Sequence, residues 1–517
     1  MSKILLQIGS RTPLLLIVCI GLILRTYLIA ELPSGFFADE ASIGYNAYTI
    51  LTKGTDEYGS FSPFFFRAFG EYKNPVQIYS TVPFIALFGL NEFSVRIVSA
   101  LYGVLGIIAL FFLVKEIFHK EKRSYYIAIS ASFLLTINPW HIHLSRVALE
   151  GFMAFIFFTI LGLYFFLKSQ RNKKYFFLSV VTFILAFYSY FPARLFIPLL
   201  GISIFIFYIR FFMRNLRVAI LCVLFLSIFL IPFVSSLFSS SALARWQQVS
   251  IFSQPPSDVS VTQHIIRNYL SHFSLDFLFT RSDIDMPGQF ITRHSVRGIG
   301  QLYFFHLPFI ILGMLYLFKK NKKIFLIFIT WVVIFPSGSM FTTSQSAQAT
   351  RSVIGIVPFQ IFSAVGIFYF LRYLSKLHLY YFQIALGIIF FVILASFMQF
   401  VNLYFSKYNL YASDFWGWQY GARDIVKYFA SQESKYDELV MAPEFNAPEI
   451  FFKFYAPNQC EKCQIGTPKE SYNPTKRQLF AVTPAFLNDN PSFIFIAQKI
   501  IYYPNKNIAF QIGEVVQ

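Results

Sequence analysis

Long apolar blocks separated by short polar ones occupy residues 1–403. Runs long enough to cross a bilayer lie at 12–30, 95–117, 124–140, 150–167, 175–190, 193–209, 217–238, 301–318, 324–338, 353–371 and 379–402, each near the roughly 20 residues that the hydrocarbon core demands. Beyond residue 403 the pattern changes. Glu438–Met441, Phe493–Ile496 and Ile500–Tyr503 read as short strands and 414–430 as an amphipathic helix, so residues 404–517 are expected to form a small α/β domain outside the membrane. The fold class expected is therefore an α-helical polytopic membrane protein, with about 11–13 membrane helices, carrying a C-terminal extracytoplasmic α/β domain. No internal repeat or low-complexity tract is visible.

Composition sharpens this picture. Only 13% of the 517 residues are Asp, Glu, Lys or Arg, 56% are apolar, and the mean hydropathy is +0.57. A water-soluble multi-domain enzyme is excluded, because no soluble fold buries that much apolar surface. The net charge of +18 is not a nucleic-acid signal. Much of the basic surplus sits in Lys3/Arg11, 115–123, 168–174, 210–217, 319–323 and Arg372/Lys376, all on one side of the expected membrane, and of the acidic residues only Glu116 and Glu121 share that side. By the positive-inside rule that side is the cytoplasm, with the N-terminus inside and the C-terminal domain outside a multi-pass protein of the plasma membrane. The first run is read as a span rather than a signal peptide, being long, interrupted by Arg25 and without a small-residue cleavage site. Cytoplasmic segments are short basic turns; the large outer segments are 31–94, 239–300 and 404–517. Chemistry is thus expected on the outer face, away from nucleotide-activated donors.

Two features there carry candidate chemistry. Asp39 and Glu40 adjoin the end of the first span. A carboxylate that apolar neighbours hold against the bilayer surface is suited to take a proton from a hydroxyl, although the same pair also suits the first turn of a helix at 40–52. Secondly, the loops 138–150, 189–194 and 336–352 each contain one Arg, namely Arg146, Arg194 and Arg351, and no Lys. The guanidinium fork is the side chain that matches phosphate. The alternative is local pairing, Glu150 being placed four residues after Arg146. Lys73, Arg96 and Arg293-His294 could face the same cavity. His141 and His143 are two apart, which separates them on a helix. Trp416-Gly-Trp418 reads as an interfacial anchor, and residues 76–90 as a stretch lying along the membrane surface. Cys460 and Cys463 permit a local disulfide in an oxidising compartment. No metal set is apparent and no cofactor is expected, a loosely held divalent cation being left open.

The motifs Ala38-Asp39-Glu40-Ala-x-x-Gly44-Tyr-x-Ala-Tyr48, Thr52-x-Gly54-x-Asp56-Glu57, Phe69-Gly-Glu-Tyr-Lys-Asn-Pro75, Phe88-Gly-x-Asn-Glu-Phe-x-x-Arg96 and Pro139-Trp-His-Ile-His-x-Ser-Arg146-x-Ala-x-Glu150 resemble, in that order, the bacterial GT-C glycosyltransferases related to protein O-mannosyltransferases and to the aminoarabinose transferase of lipid A. The resemblance implies a multispan module at 1–403, inverting transfer from a polyprenyl-phosphate sugar, and a catalytic carboxylate at Asp39 with Glu40 beside it. It further implies that the Arg146/Glu150 loop lies near the site. Near Arg351, where that group tends to carry a Pro-His pair, this chain reads Ser346-Ala-Gln-Ala-Thr350.

The reading that results is a membrane glycosyltransferase with Asp39 and Glu40 catalytic and Lys73, Arg96, Arg146, Glu150, Arg194, His294 and Arg351 binding lipid phosphate or sugar. Its expected partners are a polyprenyl-phosphate-linked donor, the bilayer, and a protein, lipid or glycan acceptor; nucleic acid is not among them. A flippase of lipid-linked saccharides is disfavoured, since it would want ionisable residues at mid-membrane and the span interiors are nearly free of Asp and Glu. A non-catalytic envelope assembly protein is the second rival.

Overall fold

The computed structural model describes residues 2–238, 246–256, 259–457 and 459–516, the first ten of these by backbone alone. All eleven apolar runs contain a helix. In chain order the first half contains α1 (Ser2–Thr26), α2 (Ala38–Lys53), α3 (Pro75–Phe88), α4 (Glu92–Ile117), α5 (Ser124–Ile137), α6 (Pro139–Ser145), α7 (Phe152–Ser169), α8 (Lys174–Phe187), α9 (Ala193–Phe207), α10 (Ile209–Arg214) and α11 (Leu216–Ser236). The later spans fall at His306–Lys320, Lys322–Ile334, Ile356–Leu377 and Leu379–Asn402. Among the described residues, six helices are long and apolar enough to cross a membrane, and the other apolar helices are shorter. Leu216–Ser236 and Leu379–Asn402 bury almost nothing, each leaving a single buried residue, Cys222 and Phe400. Their apolar faces are solvated by lipid rather than by protein.

Helix breaks follow local chemistry. The run at 124–140 ends early because Pro139 cannot continue α5. Asn138 then restarts the chain, its side chain accepting from the His141 amide at 3.0 Å as the cap of α6. The amphipathic helix expected over 414–430 begins only at Ala422, since Gly421 at φ 113° and the turns before it interrupt the pattern. Residues 76–90 do become helical, as α3, which packs on α2 and α4. Of the middle segment 239–300, expected on the outer face, residues 239–245 and 257–258 lie outside the described residues.

After the short strands β1 (Phe66–Ala68) and β2 (Glu71–Lys73), the C-terminal residues contribute β3 (Glu438–Met441), β4 (Cys463–Ile465), β5 (Gln478–Val482), β6 (Ile494–Tyr502) and β7 (Ile508–Val516). These form a five-stranded sheet in the order β4-β3-β5-β7-β6, with β3 parallel to both β4 and β5. β5 pairs antiparallel with β7, which pairs antiparallel with β6. The two strands expected at 493–496 and 500–503 are thus one strand with a register irregularity at Ala497/Lys499. Cys460 and Cys463 are joined by a disulfide. The sheet and its helices share one hydrophobic core with α2, through Phe36, Ala41, Ala47, Phe451 and Phe454. A Cβ at Gly44 would strike Val95 and the Phe454 ring, so only glycine permits this approach. Trp418 is no interfacial anchor: it is buried, its indole donating to Tyr408 Oη at 2.8 Å, whereas Trp416 is exposed.

Candidate active site

α2 starts after Phe37, which holds extended backbone, and Asp39 and Glu40 fall in its first turn, where free amides favour negative charge. Consecutive helical residues point about 100° apart, and here that divides the two carboxylates. Glu40 turns inward and is fully buried. It accepts from Arg96 Nε at 2.9 Å and Nη2 at 2.8 Å and from the Ala148 amide at 3.0 Å. Arg96 also donates to the carbonyls of Ile29, Pro33 and Gly35. The pair expected to act together is therefore split: Glu40 and Arg96 tie α2, α4 and the segment after α1 into one unit.

Asp39 turns into a cavity of about 790 Å³. A hairpin supplies its partner. β1 (Phe66–Ala68) and β2 (Glu71–Lys73) pair antiparallel around Phe69-Gly70, both at positive φ, the two-residue turn whose twist matches a hairpin. Lys73 ends β2, and its ammonium meets the Asp39 carboxylate at 2.5 Å, with side-chain exposures of 6% and 29%. Burial alone would depress the lysine, but Asp39, backed by Glu71 and Glu150, holds it above its usual value, so it carries charge.

Other segments bring further charges to the same cavity. Arg194, in the first turn of α9, donates to Asn74 Oδ1 at 2.9 Å and lies against the rings of Phe65, Phe191 and Phe233. Arg351 lines the wall from the helical turn Ala349–Ser352, and Glu150, Arg293 and His294 line it from loops. Arg293 lies 3.8 Å from the Phe37 ring centre and donates to the Trp416 carbonyl at 2.9 Å. Burial, reinforced by Arg293, Arg351 and His143, holds the His294 imidazole well below its ordinary value, so it is neutral. Apolar residues of α9 and of the end of α11, among them Leu195, Phe233 and the following Leu237, complete one side.

Arg146 does not join them. Its guanidinium donates to the carbonyls of Leu24 (2.8 Å), Tyr27 (2.7 Å) and Leu32 (3.0 Å) and packs near Tyr404 and Phe405. The last carbonyls of a helix lack intrahelical partners, and this fork takes up that of Leu24 in the last turn of α1 and two in the segment that follows; neither the expected place in the cavity nor the alternative pairing with Glu150 is found, and Glu150 faces the cavity. Of the residues named from sequence, Asp39, Lys73, Glu150, Arg194, His294 and Arg351 converge, while Glu40, Arg96 and Arg146 do not. Glu71, Asn74 and Gln348 also line the cavity; Glu71 and Asn74 flank Lys73 in the Phe69–Pro75 motif, which could have marked them, whereas Gln348 stands alone in a polar loop and offered no signal. His143 Nε2 bonds the Arg293 carbonyl at 2.8 Å and His141 Nδ1 meets Arg25 at 2.7 Å, so the two histidines serve different partners.

Fold and cavity define a multi-pass membrane protein whose charged pocket is lined by Asp39, the hairpin that carries Lys73 and loops between the apolar helices. A family model for dolichyl-phosphate-mannose-protein mannosyltransferases matches residues 73–237. The crystal structure of ArnT from Cupriavidus metallidurans bound to undecaprenyl phosphate superposes with a TM-score of 0.59 at 11% identity, covering 97% of this chain and 98% of that one. Its apo state gives 0.56 at 12% identity, covering 98% of both chains. The archaeal oligosaccharyltransferase AglB from Archaeoglobus fulgidus, in complex with an inhibitory peptide and a dolichol-phosphate, gives 0.53 at 13% identity over 87% of this chain and 64% of that one. No curated protein matches the sequence significantly. The chain has the fold of the GT-C glycosyltransferase superfamily.

Proposed function

We propose that the protein is a membrane glycosyltransferase that moves a sugar from a polyprenyl-phosphate donor to a hydroxyl acceptor on the outer face of the membrane, with inversion. The observation that carries this reading is the convergence, in one cavity, of a carboxylate at a helix start with cations from four separate segments: Lys73, Arg194, Arg293 and Arg351. An apolar side is contributed by membrane helices. A lipid phosphate has the same division, an anion on a hydrocarbon tail. The ArnT and AglB structures, bound to undecaprenyl phosphate and to a dolichol-phosphate, support the donor class.

In this reading the Asp39 carboxylate takes the proton of the acceptor hydroxyl while the oxygen attacks the anomeric carbon. The bond from that carbon to the phosphate oxygen breaks, and its electron pair leaves with the lipid phosphate. Arg194 and Arg351 neutralise the charge that develops on the departing phosphate. Lys73, held against Asp39, links base and leaving group. Glu40 has no part in proton transfer, being saturated by Arg96. The test is incubation of the purified protein with radiolabelled polyprenyl-phosphate sugars and membrane extract, comparing wild type with Asp39→Asn. Transfer of label by the wild type and its loss in the variant, with expression and lipid-phosphate binding retained, is expected. An Asp39→Asn protein that still transfers at the wild-type rate would remove the carboxylate from the mechanism.

A further inference from the structure

Asp283 lies behind the cavity wall and is 1% exposed. One of its oxygens accepts from the Ala349 amide at 2.7 Å, the first residue of the helical turn that carries Arg351. The other accepts from the Ser295 hydroxyl, which in turn accepts from Ser282 Oγ at 2.5 Å. Ser295 follows His294, whose Nδ1 makes no hydrogen bond and stands 4.0 Å from the same carboxylate. One buried group thus reaches two segments far apart in sequence, each of which puts a side chain into the cavity.

We propose that Asp283 is a positioning residue that fixes His294 and Arg351 relative to each other, so that both face the phosphate of the incoming lipid. The inference rests on the donor reading above. A long arginine contributes to binding only in so far as its backbone is held. The amide of Ala349 begins a single helical turn and has no helical partner of its own. A buried carboxylate is costly to keep unless its charge is used by strong donors, and here those donors belong to the two loops that carry the cavity residues. Removing the carboxylate frees both loops together, so its effect is exerted through Arg351 rather than beside it.

The test is a double-mutant cycle on binding of polyprenyl phosphate, without sugar, to the full-length protein in nanodiscs. Loss of a charge-assisted contact to phosphate in Arg351→Ala weakens binding about tenfold, and Asp283→Ala is expected to match it within about threefold. The double variant should be no more than about threefold weaker than Arg351→Ala alone, because coupled residues are not additive. A multiplicative double variant, or unchanged binding in Asp283→Ala, overturns the proposal. If Asp283→Ala does not fold, Asp283→Asn, which keeps one acceptor oxygen, takes its place in the same cycle under the same two criteria. Wild-type binding without sugar transfer would count against the transferase reading while leaving the cycle to judge Asp283. Failure of the wild type to bind the lipid phosphate would overturn both.

Discussion

Glu40→Gln and Asp39→Asn are chemically alike and adjacent, yet they are expected to fail in opposite ways. Glutamine keeps the shape of Glu40 but turns one of its two acceptor oxygens into an NH2 group that confronts the Arg96 guanidinium. Of the two charge-assisted hydrogen bonds, at 2.8 and 2.9 Å, one is lost, because a guanidinium cannot accept, the other loses its anionic acceptor, and Arg96 keeps a buried charge with only the more distant Glu92 to offset it. Breaking such a pair costs about 3–5 kcal/mol. With an unfolding entropy of about 2 cal/mol/K per residue, a cooperative unit of this size loses about 1 °C per kcal/mol, and a smaller unit loses more. A fall in Tm of at least about 3–5 °C is therefore expected for Glu40→Gln. Asp39 is partly solvated, and its partner Lys73 retains Glu71 and Glu150 nearby, so Asp39→Asn should shift Tm by less than half as much while abolishing turnover. The assay is thermal unfolding in detergent, followed by transfer measured well below the melting range. A Glu40→Gln protein with wild-type melting and no activity would refute this division of roles.

Arg194→Lys and Arg351→Lys should each raise the donor KM about tenfold in transfer assays, since an ammonium cannot reproduce a bidentate contact. Wild-type KM in both would dismiss the phosphate role. Arg146→Lys should instead destabilise the fold by about 1–3 kcal/mol of lost carbonyl contacts, read as a lower Tm, with donor KM unchanged at low temperature. Burial raises Asp283 from 3.8 to about 6, against the pull of its bonds from Ala349 and Ser295. A raised folded-state value means that its contribution to stability is fully present below 3.8 and is lost as pH rises through about 6. Asp283→Asn should therefore gain Tm relative to wild type between pH 5 and about pH 7.5; a constant difference across that range would contradict the assignment.

Much of the architecture was legible in sequence because a bilayer imposes one-dimensional rules. A run such as 379–402 must be helical wherever it lies, since lipid offers its backbone no partner. The same reasoning isolated the few outer-loop charges, and Asp39, Lys73, Arg194, His294 and Arg351 do line one cavity. It failed where neighbours decide. Asp39 and Glu40 are indistinguishable by type, and only the placement of Arg96 and the Ala148 amide separates them. Arg146 resembles Arg194 in its sequence setting, yet carbonyls in the last turn of α1 and the segment that follows claim it. Asp283 carried no sequence signal, because its partners are a backbone amide and a hydroxyl. The apolar helices of residues 1–403 could be read from the chain alone, since each is a property of a contiguous stretch and its solvent. The tertiary structure alone decided which charge meets which partner, since a salt bridge or a capped carbonyl depends on distances between segments as far apart as Asp283 and Ala349.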